Sequence, residues 1–268
     1  MPRAATDRSR YFLQSLAKGL TVLQAMAEAN QPMALSDIAR AASTSNATAT
    51  RICYTLTQMG FIDRDAQRRF FITPRILSLG HSAVCSLGWR NVAQHYLERL
   101  SFDLKETVNL SVLDGHELIY IARVNTGRIL PFDLQLGSRL PVYCTSMGKV
   151  LVAFSPPETV SEILQKVSFT PLTHRTITDR DKYLADLERV RAKGYALNDE
   201  ELSVGLRSVA APIFDSQGWS QAAINIAVPT TRYSLERLEN ELAPAAMRTA
   251  REIMRALGTG GRKMAAAS

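Results

Sequence analysis

The sequence predicts an α+β protein of two domains, a small helical one closed by a β-hairpin and then a larger mixed one. Three observations lead there. Positive charge is concentrated early: residues 1–90 carry 11 Lys and Arg against 5 Asp and Glu, whereas residues 91–268 carry 21 against 20. Apolar spacing in that first third has the helical period, interrupted by polar turns. Beyond residue 100, period-two apolar runs around Gly-containing turns alternate with helical stretches, which implies an antiparallel sheet flanked by helices. With 268 residues, 46% of them hydrophobic, the chain can build one small core and one of ordinary size.

The first helix is expected over 15–29, where Leu16, Leu20, Leu23 and Ala27 share a face and Ser15 stands as N-cap. After the Asn30-Gln31-Pro32 break, residues 35–42 predict a two-turn helix capped by Ser36. The turn Ser43-Thr44-Ser45 then caps a third helix over 46–59, which Gly60 ends in a left-handed conformation. On it Ala49, Ile52, Cys53, Leu56 and Met59 fall on one side, and Ala47, Arg51, Tyr54 and Gln58 on the other. Surface helices ordinarily expose Glu and Lys, but 46–59 contains no acid. Such a face suits an anionic partner. Residues 61–74 read as two short strands around Asp65-Ala66-Gln67, with Arg64, Arg68 and Arg69 near the tip. Together these elements describe a winged helix-turn-helix.

From Arg75 to Ser101 the pattern is helical again, interrupted near Gly88-Trp89, and it reads first as a linker helix. Strand-like runs VNLSVLD and ELIYIARV follow around Gly115-His116, and LPFDLQLGSRLPVY continues the strand pattern. Helices are expected from Ser146, across SPPETVSEILQ, and across DRDKYLADLERVRAKG up to Gly194. A second strand pair, RSVAAPIFD and SQAAINIAV, turns at Ser216-Gln217-Gly218, and LERLENELAPAAMRTAREIMRAL predicts one long terminal helix. The expected divisions are a DNA-binding domain over 1–74, a linker helix over 75–92, a second domain over 93–258 and a disordered tail over 259–268.

Cys53, Cys85 and Cys144 are odd in number and widely spaced, and the four histidines are scattered, so neither a disulfide framework nor a metal site is expected. No cofactor motif is present. No apolar run approaches the roughly 18 residues of a membrane helix, and the N-terminal stretch lacks a signal-like apolar core, so the protein is expected in the cytoplasm, away from membranes.

Taken in order, SLAKGLTVLQAM, LSDIARAASTSNATATRICYTLTQMGFI, LPVYCTSMGKVLVA and GYALNDEELSVGLRSVAAPIFD resemble the IclR family of bacterial transcription factors over nearly the whole chain. The third and fourth of these segments are most similar to the subgroup that regulates aromatic-acid degradation through the β-ketoadipate pathway, answering to compounds such as protocatechuate, 4-hydroxybenzoate or β-ketoadipate. The resemblance implies a GAF-like or profilin-like effector-binding domain, a linker helix used in dimerisation, and a homodimer or homotetramer on double-stranded operator DNA.

Candidate DNA contacts follow. Arg51 stands at the family's recognition-helix position, where a guanidinium can read a guanine edge or clamp a phosphate. Asn46, Thr48, Thr50 and Tyr54 flank it. Ser45 sits in the preceding turn, Ser36 at a helix N-terminus, and Arg68 and Arg69 in the wing. For the effector, an aromatic or dicarboxylic acid, the helix N-terminus after Tyr143 offers amides and a positive dipole end, with Thr145 and Ser146 as hydroxyl donors, Met147 or Tyr143 to pack on a ring, and Gly148 following. Asp199, Arg207 and Ser208 lie on the loop and strand that the resemblance places at the pocket, where Arg207 pairs either with a ligand carboxylate or with a neighbouring acid. Asn225 faces the sheet interior if Ile224 and Ile226 face away. The competing reading is a small-acid-binding enzyme with an N-terminal interaction module. Its only reactive groups are Cys144 and the acids at 199–201, and no nucleophile elbow, P-loop or metalloprotease motif accompanies them.

Overall fold

A computed structural model describes residues 12–79, 88–126 and 134–259. They divide into two compact units, before and after the Ser86–Leu87 junction. Residues 80–87 of the expected linker helix, and the expected tail beyond Thr259, lie outside the described residues.

In the first unit, helix α1 (Gln14–Ala29) ends where Asn30 turns left-handed at φ 48°. Ser15 is not its cap. Leu13 holds that position, and no side chain caps the helix. Helix α2 (Leu35–Ala41) likewise begins one residue ahead of Ser36, with Ala34 in the cap position, so Ser36 lies exposed in the first turn. Helix α3 (Asn46–Gln58) has the expected cap: the Ser45 Oγ accepts the Thr48 N–H at 3.2 Å. Gly60 follows at φ +75°. Strands β1 (Ile62–Arg64) and β2 (Phe70–Ile72) pair antiparallel, and Met33 bonds backbone to backbone with Phe70, fixing the wing to the helices. Val22, Met26, Ile38, Cys53, Leu56, Ile62 and Phe70 form the core. Met59, expected on the inner side, is 50% exposed because it caps α3 beyond the last turn that meets that core.

The second unit begins with α4 (Trp89–Leu104), whose Ala93, Leu97 and Leu100 pack into its core. Strands β3 (Thr107–Asp114), β4 (Glu117–Val124), β5 (Arg139–Pro141), β6 (Ala196–Asp199), β7 (Leu206–Phe214) and β8 (Ser220–Pro229) form one antiparallel sheet in the order β5-β4-β3-β8-β7-β6. The two hairpins expected at opposite ends of the domain sequence meet at its centre, where β3 pairs with β8. Of the strand pattern expected across 130–143, only β5 is strand among the described residues. Strand β6 lies outside the expected elements, since its four residues are too short a run to show a period.

Alternation along the strands assigns the two faces. Val108, Leu110, Val209, Ala211, Ile213, Ile224 and Ile226 face α4 and the terminal helix. On the other face pack α5 (Ser146–Ala153), α6 (Pro157–Lys166) and α7 (Arg180–Lys193), the last closed by Gly194 at φ +76°. The terminal helix is interrupted. One turn, α8 (Leu235–Arg237), runs through a π-turn at Leu238–Leu242 into α9 (Ala243–Ala256). Ala243 N–H reaches back five residues to Leu238 O, and Pro244 brings no N–H with which to restore the ordinary spacing.

Candidate nucleic-acid interface and effector cavity

The outer face of α3 is open. Ala47, Thr50, Arg51, Tyr54, Thr55 and Gln58 are exposed, Tyr54 by 66%, while Ala49, Cys53 and Leu56 are buried beneath them. Arg51 makes no ion pair among the described residues, so its five donors remain for a partner. The hydroxyls are less free. Thr50 donates to Asn46 O at 2.7 Å and Thr55 to Arg51 O at 2.9 Å, so each presents a methyl group and acceptor lone pairs outward. Ser45 donates to Thr48 Oγ1 at 3.0 Å while accepting the Thr48 amide, which occupies both in the cap. Asn46 is exposed at the start of the helix.

In the wing, Asp65 organises the turn. It accepts the N–H groups of Gln67 at 3.0 Å and Arg69 at 2.8 Å, and its second oxygen holds Arg69 Nε at 2.8 Å. Arg69 is thus tied to the turn. Arg68, exposed at φ 60°, projects from the tip, and Arg64 stacks on the Phe70 ring at 4.5 Å.

The second unit encloses a polar cavity between the sheet and the N-terminus of α5. Its floor is drawn from two cross-strand rows on one face, of which all the residues named but Thr107 line it. Register places Arg123 opposite Asn109 and Asn109 opposite Asn225 in one row; Thr107, Ala227, Ser208 and Asn198 form the next. Asn109 Nδ2 donates to Asn225 Oδ1 at 2.7 Å. The Tyr120 hydroxyl, pushed well above its ordinary range by burial, stays protonated in the wall. Leu134, Leu202 and Leu206 complete it. About 20 Å³ is open, close to the room of one water.

Of the residues singled out from the sequence, Thr145, Ser208 and Asn225 line this cavity. Ser146 lies just behind, its Oγ 2.7 Å from that of Ser208. Thr145 Oγ1 accepts the Gly148 amide at 3.2 Å and caps α5, so one of the amides offered to a carboxylate is already taken. Met147 is buried and accepts a hydrogen bond from Ser111 at 3.1 Å; the Tyr143 hydroxyl donates to Thr170 O at 2.8 Å beside Phe169. A Cβ on Gly148 would lie 2.3 Å from Val142 O, so its bareness serves packing. Asp199 and Arg207 pair with each other at 2.6 Å, Arg207 also donates to Tyr233 O, and Arg175 joins Asp199. The internal pairing left open by the sequence is the arrangement observed. Cys144 is buried, its thiol pushed up to about 12 by desolvation. Asn109, Tyr120, Arg123 and Asn198 also line the cavity and lie outside the residues expected from the sequence. Polar residues alternating with Val and Leu in VNLSVLD were the available signal, because a two-faced buried strand has no ordinary use for them.

An exposed acid-free helix in a winged helix-turn-helix, carried on one chain with a domain that encloses a polar cavity, defines a DNA-binding regulator of the ligand-sensing class. The IclR helix-turn-helix domain model matches residues 15–66, and that of the bacterial transcriptional regulator IclR C-terminal domain matches 81–255. The chain is 35% identical to the Pca regulon regulatory protein of Pseudomonas putida over 90% of its own length and 83% of that protein's. A crystal structure from Rhodococcus sp. RHA1, described as a transcriptional regulator, is 44% identical with a TM-score of 0.79, covering 92% of this chain and 99% of that one. The double mutant of the PobR inducer-binding domain from Acinetobacter, in complex with 3-hydroxybenzoic acid, is 35% identical with a TM-score of 0.57 over 61% of this chain and 95% of that one. The chain belongs to the IclR family and is a transcriptional regulator; its relatives are regulators, not enzymes. Among the described residues, no helix is long and apolar enough to cross a membrane.

Proposed function

We propose that this regulator acts in the cytoplasm as a homodimer or homotetramer, reading a palindromic operator with α3 and controlling genes of aromatic-compound catabolism in answer to an aromatic acid. The observation that carries the DNA reading is the outer face of α3: exposed, free of carboxylates and centred on Arg51, which makes no ion pair among the described residues. On this reading Arg51 and Tyr54 reach base edges, Asn46 and the Thr50 methyl group flank them, Ser45 and Thr48 hold the helix start, and Arg68 with Ser36 meets the phosphate backbone. Residues 1–74 form the DNA-binding domain, 75–92 connect it, and 93–258 form the sensor.

The likeness to the Pca and PobR regulators supports an aromatic acid as effector. The enclosed polar cavity, with Thr145, Ser208 and Asn225 in its lining, is the place for it. An effector that prefers one arrangement of the protein shifts operator affinity by the difference in its own affinities, typically about 1–3 kcal/mol. Fluorescence anisotropy on the promoter nearest the gene, at stated salt and with 3-hydroxybenzoate as probe, tests both halves. Specific binding that responds to the probe is expected, and equal affinity for random DNA overturns the assignment.

A further inference from the structure

The row Arg123, Asn109, Asn225 leaves two buried atoms without partners among the described residues: Arg123 Nη1, a donor, and Asn109 Oδ1, an acceptor. Asn109 is 1% exposed, and its amide is held by the bond to Asn225, so the free oxygen cannot turn elsewhere without breaking that bond. Among the described residues lining the cavity there is no carboxylate, and Arg123 is its one cation. An unpaired charged donor away from water costs more than a neutral one, so the site favours whatever completes it. Completion requires negative charge for Arg123 and a hydrogen-bond donor for Asn109. The two residues are register partners across β3 and β4, with Cβ atoms about 4.5–5.5 Å apart.

We propose that Arg123 and Asn109 are the specificity-determining pair of the sensor: the guanidinium takes the effector's carboxylate and Asn109 Oδ1 accepts a hydrogen bond from a hydroxyl on the same molecule. The site then selects hydroxyl-bearing carboxylic acids over the unsubstituted acid and over its methyl ether, which has no proton to give. This rests on the assignment of the cavity as the effector site.

Calorimetric titration of the full chain tests it, with 3- and 4-hydroxybenzoate, benzoate, 4-methoxybenzoate and 3-hydroxybutyrate as probes. A hydroxybenzoate is expected to bind at least about 10-fold more tightly than benzoate or the methyl ether, a comparison within the wild type that needs no variant. Arg123→Gln is expected to weaken it by roughly 10- to 100-fold, the range of a charge-assisted hydrogen bond. Asn109→Leu is expected to remove the preference for the hydroxyl while keeping carboxylate binding. Benzoate bound as tightly as the hydroxybenzoates overturns the role of Asn109, and unchanged binding in Arg123→Gln overturns that of Arg123. Arg123-dependent binding of 3-hydroxybutyrate alone keeps the pair and rejects the aromatic effector; binding of none of the hydroxy acids overturns the pair.

Discussion

Lys149 Nζ lies 2.5 Å from Glu201 Oε1 and 2.8 Å from Asp186, with the lysine only 2% exposed. Burial raises the Glu201 carboxyl above its ordinary range, and the neighbouring lysine only partly opposes this. Removing one member of such a pair strands the other. Lys149→Met is expected to lower unfolding free energy by about 3–5 kcal/mol in urea titrations at neutral pH. The sign of the pH dependence follows from the raised carboxyl: its contribution is most favourable below the unfolded-state pKa and declines as pH rises from there through the folded-state value. Glu201→Gln is expected to flatten that decline.

Arg51→Ala is expected to reduce operator affinity by about 1–3 kcal/mol while leaving binding to random DNA, effector binding and oligomeric state nearly unchanged. Anisotropy with specific and scrambled duplexes separates these. Retained selectivity places the readout on another surface.

Gly148→Ala puts a methyl group against backbone, 2.3 Å from Val142 O and 2.4 Å from Val142 Cα. Backbone cannot swing aside as a long side chain does. A loss of about 1–3 kcal/mol or more is expected, read as a fall of several degrees in the melting temperature. An unchanged melting curve shows that the segment 142–148 has another comfortable conformation.

The thiols of Cys53 and Cys144 are buried and pushed up by desolvation to about 11 and about 12, respectively. Since the thiolate is the reactive form, neither is expected to alkylate with iodoacetamide at pH 8 in the folded protein, and both are expected to do so in guanidinium. Mass spectrometry of labelled peptides reads the result directly.

The parts of this molecule legible in its sequence are those governed by local rules. The two faces of α3, the Ser45 cap, the turns at Gly115 and Gly218 and the stop at Gly194 all follow from spacing and from glycine's freedom at positive φ. Ser15 and Ser36 misled, because each helix starts slightly earlier than its first serine, and nothing local forbids that. Asn225 was legible from its isoleucine neighbours. Its partner Asn109 lies 116 positions away in sequence and meets it only through the β3–β8 register, which no window of sequence contains. Asp199 and Arg207 were found but face each other, since oppositely charged residues in adjacent strands satisfy themselves before any visitor arrives.

The sensor's cavity has room for about a single water. On the proposed assignment, a ring needs more room than this, so its entry requires part of the lining, which includes Leu134, Leu202 and Leu206, to move. Observed affinity is then the intrinsic affinity scaled down by the fraction of molecules standing open. If the effector takes this cavity, the concentration at which the regulator responds depends on how readily the lining opens as well as on the bonds made once it has.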